Sequence, residues 1–325
     1  MSKDMLGKKQ LYEFFEKFIQ SPEVLKGKQF KYIPPEILSE LQENFGFSIV
    51  NSSYYSPMPS VGDINSFFDS IGDAPIYFDK NIFNKQRIGC FFDKIFHYID
   101  EISFNGRIKS RKNCYYFENT YFSHSDAAAY YSIIRYFEPE KIVEIGSGYS
   151  TKIAKYAVNA NKTPCKITCI EPYPENYLLE IDEIEIIKKK AQDISSDWLN
   201  SVLRDGDILF IDSTHTVKEG GDVIHLICKI LPEIKKNILV HFHDIFLPLS
   251  FPKEWLMMQL YWTEQYLLYA FLLNNQNAQV LYGSTVNNIM YPERMKKFTV
   301  SGLPGGGSIW FELLNSDPQK TISGT

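Results

Sequence analysis

The segment Lys141–Ser150, KIVEIGSGYS, constrains this chain more than any other. A short apolar strand runs into Glu144 and Ile145, and Gly146-Ser147-Gly148 then turns into a helix opening at Ser150 or Thr151. Glycine suits such a turn because the backbone reverses sharply and leaves bare main chain for a ligand to approach. The dinucleotide fingerprint G-x-G-x-x-G would place a third glycine at position 151, and this chain has Thr151 there. That difference counts against a nucleotide-dependent oxidoreductase, and so does the acid at Glu144.

The rest of the chain after residue 125 agrees with a parallel sheet. Short apolar runs recur at Lys141–Ile145, Lys166–Ile170, Ile184–Ile187, Asp207–Ile211 and Ile238–Phe242. Helical patterns separate most of them, at Ser150–Asn159, Ser196–Leu203 and Val217–Ile230, and Ala127–Phe137 precedes the first strand. Alternation of this kind gives a doubly wound α/β, Rossmann-like sheet. Ala278–Tyr282 and Ser308–Leu314 add an antiparallel pair at its edge, for seven strands that are mostly parallel with an antiparallel last strand. Before residue 125 the pattern is irregular. Helices are expected over Lys9–Gln20 (Leu11, Phe14, Phe15 and Phe18 on one face), Pro34–Asn44 and Gln86–Ile102. The expected division is therefore a helical, irregular N-terminal cap over 1–125 and a cofactor domain over 126–325. The cap is assigned to acceptor recognition or to a homodimer contact.

Composition narrows the function classes. With 44% hydrophobic and 15% aromatic residues the chain can build a sizeable core, so a disordered protein is excluded. A net charge of −5 disfavours a partner such as nucleic acid that needs a broad positive field. Apolar runs such as Ile238–Phe242 fall far short of the roughly 20 residues of a membrane span. The first twenty residues lack the apolar core of a signal peptide. Five cysteines, an odd number, read as reduced and mostly buried thiols in a cytoplasmic protein.

Further polar residues fall at successive strand ends. Glu171 follows the second strand, where a carboxylate can accept both hydroxyls of a ribose. Asp193, in Ala191-Gln192-Asp193, follows the third, where a polar side chain can meet an adenine amino group. On Glu144-x-Gly146-x-Gly148, Glu171 and Asp193, the region from Phe117 to Leu314 resembles class I S-adenosylmethionine-dependent methyltransferases. The resemblance implies that Glu144, Gly146, Ser147, Gly148 and Ser150 hold the methionine part of S-adenosylmethionine, with Glu171 on the ribose and Asp212 beside them. It also implies an entrance loop at Asn119–Asp126, where Asn119, Tyr121 and Ser123 are candidates for cofactor contact.

Asp212-Ser213-Thr214-His215 and His243-Asp244 follow the fourth and fifth strands, with His241 two residues earlier. A hydroxyl is a poor nucleophile until it loses its proton, and histidine suits the task of removing it. The Asp-x-x-His arrangement resembles sugar O-methyltransferases that act on macrolide antibiotics. That resemblance implies His215 as base, Asp212 as metal ligand or orienting acid, and Asp244 in support. His243 stands where the group has a second acid. A metal at Asp212, His243 and Asp244 would then be Mg, Mn or another divalent ion. Metal assistance, metal-free base catalysis and structural histidines all stay open, and His241 reads as core. The HDIF and WTEQYLL stretches (His243–Phe246 and Trp262–Leu268) are similar to a bacterial group associated with polysaccharide and natural-product genes. The expected activity is O-methylation of a sugar, glycan or small natural product, with a non-catalytic cofactor-binding scaffold as the alternative from another class.

Overall fold

The structure, a computed structural model, describes residues 35–46, 54–102, 119–299 and 306–315, with positions 10, 13, 14, 16, 17, 20, 48, 50, 115 and 116. The helix expected over Lys9–Gln20 lies mostly outside the described residues, as do Cys114, Phe117 and Gly305. The chain forms two compact units, 1–70 and 71–325, so the boundary falls well before the 125/126 division expected from pattern alone. Residues 71–125 go with the larger unit because Ile82, Phe83, Ile88, Phe91, Phe92 and Ile95 are buried in its core. In the smaller unit, helices span Pro35–Phe45 and Val61–Ile71, the latter running one residue past the division, and Tyr54 and Tyr55 stand almost fully exposed.

The larger unit is built on one seven-stranded sheet. Its strands are β1 (Lys141–Ile145), β2 (Lys166–Ile170), β3 (Ile184–Ile187), β4 (Ile208–Ile211), β5 (Ile238–Phe242), β6 (Ala278–Gly283) and β7 (Ile309–Leu313). They lie in the order β3-β2-β1-β4-β5-β7-β6. All pairings from β3 to β5 are parallel, and β7 runs antiparallel to both β5 and β6. The fold is thus Rossmann-like with an antiparallel last strand. The antiparallel pair expected at the sheet edge is present, with β7 lying between β5 and β6 and β6 forming the outer strand.

The central strands are mostly apolar because both faces are covered. Val143, Ile145, Leu209, Ile211, Val240 and Phe242 join one core, and Ile142, Ile208, Phe210 and Leu239 the other. Two expected helices change form. Gln86–Ile102 is a helix over Lys85–Ile95 that tightens into a 3₁₀ turn over Phe96–Glu101. Val217–Ile230 begins only at Asp222, because Gly220 takes a left-handed φ of 68°, and it continues as a π-helical turn over His225–Ile230. Of the four described cysteines only Cys169 is buried, while Cys90 and Cys228 are exposed, which corrects the expectation of mostly buried thiols. Among the described residues no helix is long and apolar enough to cross a membrane.

Candidate active site

Strand register builds the site. Ile145 pairs with Ile170 and with Ile211, and Ile211 with Phe242. The next residue on each strand is Gly146, Glu171, Asp212 and His243, so these four form one row beyond the C-terminal ends. Strand order reverses between β1 and β4, the point where open α/β sheets bind ligands. A cavity of about 710 Å³ opens there, lined by the glycine turn, Ser150, Glu171, Asp212, His215, His243 and Asp244.

The glycine turn is locked from below. Gly146 has φ 79°, and a Cβ there would lie 1.7 Å from the Asp212 carbonyl oxygen. The first glycine is therefore demanded by the closeness of two strand ends rather than by a ligand. Thr151, at the position of the missing third glycine, accepts a hydrogen bond from Gly148 N at 3.1 Å and donates to the Glu144 carboxylate. Tyr130 donates to the other Glu144 oxygen at 3.0 Å. Burial raises the Glu144 carboxyl to about 7, against the pull of those hydrogen bonds. Glu144 thus holds the turn from beneath and does not line the cavity.

The other candidate cofactor residues divide in two. Ser147, Gly148, Ser150 and Glu171 face the cavity. The Glu171 carboxylate accepts from Tyr173 N at 2.9 Å and Ser147 N at 3.4 Å, one bond per oxygen, which leaves lone pairs on each for a diol. Asp193 is exposed, caps its own short turn through Lys190 N at 3.3 Å, and is absent from the cavity wall. Asn119 is also absent from the wall. Its amide donates to the Tyr116 and Phe122 carbonyls and accepts from Tyr121 N and Phe122 N. Asn119 therefore shapes the loop whose Tyr121 lines the cavity and stacks on Tyr149 at 5.4 Å. Ser123 caps the helix His124–Phe137.

Beside this lies a chain of alternating carboxylates and imidazoles. Asp126 Oδ2 is 3.4 Å from His243 Nε2, and His243 Nδ1 is 3.5 Å from Asp212 Oδ1. Asp212 Oδ1 is 3.3 Å from His215 Nε2, and His215 Nδ1 is 2.8 Å from Glu264 Oε2. Asp244 Oδ2 reaches both imidazoles, at 3.5 and 3.6 Å. The expected set of Asp212, His215, His243 and Asp244 does come together. His241 instead lies in the core, stacked on Phe210 at 4.0 Å and bonded to Ser308 Oγ at 2.9 Å.

The local backbone fixes these groups. Asp222 accepts Thr214 N at 3.0 Å and Thr214 Oγ1 at 2.6 Å, pinning the turn after β4. His215 and Asp244 both have φ near 55°, at 58° and 54°, a strained conformation for such residues. The His215 carbonyl accepts from Thr263 N and Glu264 N, so that turn is tied to the start of the helix Glu264–Leu272. Gly306 and Gly307 pass so close to the site that a Cβ would meet Asp126 at 2.4 Å or Asp244 Cα at 2.8 Å. This is the close approach at the rim that a glycine run permits.

The charges follow from these partners. Burial works to lower the His215 pKa, but Asp212 and Glu264 outweigh it and raise it to about 10. His243 is likewise raised, by Asp244, Asp212 and Asp126 against its burial. Burial would raise Asp212, yet His243 and His215 hold it well below the usual carboxylate range. Asp126 is held down to about 2 by His243, Ser284 and Ser308 despite its burial. Among the described residues no group of three or more His, Cys, Asp or Glu side chains is arranged to hold a metal ion. Asp212, His243 and Asp244 are paired with one another, His215 and Asp126.

Sequence reading missed Asp126 and Glu264. An acid at a helix start is ordinary dipole complementation, so neither Asp126 nor Glu264 stands out until the fold brings its partner near.

Residues 143–245 match the family described as "Methyltransferase domain". A protein of Archaeoglobus fulgidus, described only as uncharacterized, is 28% identical over 162 residues, 46% of this chain and 71% of its own length. Among solved structures, the plantazolicin methyltransferase BpumL in complex with SAH is 12% identical over 78% of this chain and 99% of its own, with a TM-score of 0.39. The SAH-bound Podospora anserina methyltransferase PaMTH1 is 13% identical over 83% of this chain and 100% of its own, with a TM-score of 0.38. The domain match, together with the sheet order and the glycine turn, supports a class I methyltransferase domain. S-adenosylmethionine is the cofactor such a domain uses, and Ser147, Gly148, Ser150 and Glu171 fit it.

Proposed function

We propose that this protein transfers a methyl group from S-adenosylmethionine to a hydroxyl oxygen on a sugar, a glycan or a small natural product. The observation that carries the reading is a single cavity whose wall joins the glycine turn and Glu171 to the Asp212–His215 pair. The cofactor supplies an electrophilic methyl on a positively charged sulfur. The chain supplies alignment, which accounts for much of the rate of such a displacement without a covalent enzyme intermediate.

In this reading His215 takes the hydroxyl proton at Nε2, while Glu264 on Nδ1 fixes the ring and its tautomer. Asp212 orients the same imidazole, and Asp244 assists from 3.5 Å. A condition follows from the charges. His215 accepts a proton only after losing its own, so turnover rises with pH toward about 10. A positive charge entering the same cavity moves that limb downward. The cap read over 1–125 keeps its proposed role in acceptor recognition or dimerisation.

Calorimetric titration with S-adenosylmethionine tests the reading. Binding in the wild type and its loss in Glu171→Ala, by tenfold or more, are expected. A purified protein that releases no heat with S-adenosylmethionine would refute the cofactor assignment.

A further inference from the structure

The cavity wall has a part that neither cofactor contact nor proton transfer uses. Trp255, Met258, Leu260 and Trp262 line it. The two indoles meet edge to face at 5.4 Å, with planes 89° apart. Behind them Phe251 is buried and touches both, at 5.5 and 6.0 Å, so the pair rests on a packed base. Trp255 and Trp262 themselves remain half-buried. Trp262 also lies 4.4 Å from the His215 ring, and the His215 carbonyl is bonded to the two residues that follow Trp262. The aromatic shelf and the proposed base are therefore one mechanical unit.

Charge in the same cavity is one-sided. Its acids are Glu171, Asp212 and Asp244, and among the described lining residues none is Lys or Arg. The two imidazoles offer no spare cation, because His215 is flanked by Asp212, Asp244 and Glu264, and His243 by Asp126, Asp212 and Asp244. A phosphate or carboxylate on the acceptor would be desolvated against carboxylates without a partner. An uncharged ring loses nothing there and gains apolar contact with the indoles.

Resting on the methyl-transfer reading, we propose that the acceptor is an uncharged hydroxylated ring, seated in the corner of Trp255 and Trp262 with its face against one indole and its edge against the other, and that the cavity rejects its phosphorylated or carboxylated counterparts. Seating on Trp262 brings a hydroxyl at the ring edge toward His215 and Asp212. Specificity then comes partly from rejection of the wrong charge.

The test uses the full chain saturated with S-adenosylhomocysteine and two probes, phenyl β-D-glucopyranoside and its 6-phosphate, titrated by ligand-observed saturation-transfer NMR. Saturable binding of the neutral probe, and binding of the phosphate at least tenfold weaker, are expected. Trp262→Ala should weaken the neutral probe at least tenfold and Trp262→Phe no more than threefold, with S-adenosylhomocysteine affinity held within threefold in both. If Trp262→Ala does not fold, Trp255→Ala supplies the same comparison. Equal or tighter binding of the phosphate, no saturable binding of the neutral probe, or indifference to the tryptophan substitutions overturns the proposal. Ring binding that persists in a protein unable to bind S-adenosylhomocysteine removes the methyl-transfer reading and leaves the shelf standing.

Discussion

Gly146→Ala perturbs the fold and the site at one atom. The residue sits at φ 79°, where a side chain costs about 1–2 kcal/mol. The larger effect is steric, since the added methyl would lie 1.7 Å from the Asp212 carbonyl oxygen and 2.7 Å from its carbon. Backbone on both sides must part by more than an ångström. Forced expansion of a packed site adds roughly 1–3 kcal/mol. The hydrogen bond from Asp212 N to Ile145 O, 2.8 Å long, joins the same two strand ends and contributes about 1 kcal/mol more. Together these give a destabilisation of about 3–6 kcal/mol. For a domain of this size each kcal/mol lowers Tm by about 2–4 °C, so the fall is on the order of 10 °C. Asp212 moves with its backbone, away from a His215 nitrogen only 3.3 Å off. Differential scanning calorimetry reads the first effect and titration with S-adenosylmethionine, at a temperature where the variant is folded, reads the second. Gly206→Ala is the control: it shares a left-handed φ, of 90°, but nothing lies within 4 Å of its Cβ. That variant should lose only the conformational part, about 1–2 kcal/mol. Equal melting temperatures for the two variants, or a Gly146→Ala protein that binds the cofactor as the wild type does, would show that the β1 and β4 ends are not packed as described.

The proposed base and its support give two further expectations. His215→Ala should lower kcat by about 10²–10⁴-fold and leave cofactor affinity within a few-fold, checked by turnover and calorimetry; loss of cofactor binding instead would make the histidine structural. Glu264→Gln keeps a hydrogen-bonding group at Nδ1 but removes the charge, so the alkaline rise in turnover should move down by about 1–3 pH units. Stability should follow the same sign. A His215 pKa raised from 6.5 to about 10 stabilises the wild type fully below pH 6.5 and is lost as pH rises through 10. Its full worth is on the order of 5 kcal/mol, shared between Asp212 and Glu264. Urea unfolding between pH 6 and 10.5 should therefore show a shallower alkaline decline in Glu264→Gln, and an identical decline would refute the pairing.

The central strands could be read from sequence because they are buried on both faces. A short, mostly apolar run between polar ends, as in Ile167–Ile170 between Lys166 and Glu171, marks the strand limits directly. Parallel order then required that Gly146, Glu171, Asp212 and His243 fall at one edge, so this row of the site followed from pattern alone. Boundaries set by local backbone chemistry were less legible. Gly220 delayed one helix, and the period of Ile88, Phe91, Phe92 and Ile95 marked a buried helix face without saying which core would bury it.

What the sequence determined by itself was which residues end the strands. Periodicity and glycine placement are local properties, and they fix where a chain can extend, turn or coil. Tertiary structure decided what those residues face. Glu144 lies beneath the glycine turn because alternation along β1 sends it to the face that holds Tyr130, while Asp193 turns outward to cap its own turn. Asp126, 138 positions from Glu264 in sequence by their numbering, becomes the other end of one ionic chain only when β1, β4 and β5 are laid side by side. The pKa values of His215 and His243 belong to that assembly. A charge far along the chain raises an imidazole only when folding brings it within a few ångströms and excludes the water that would screen it.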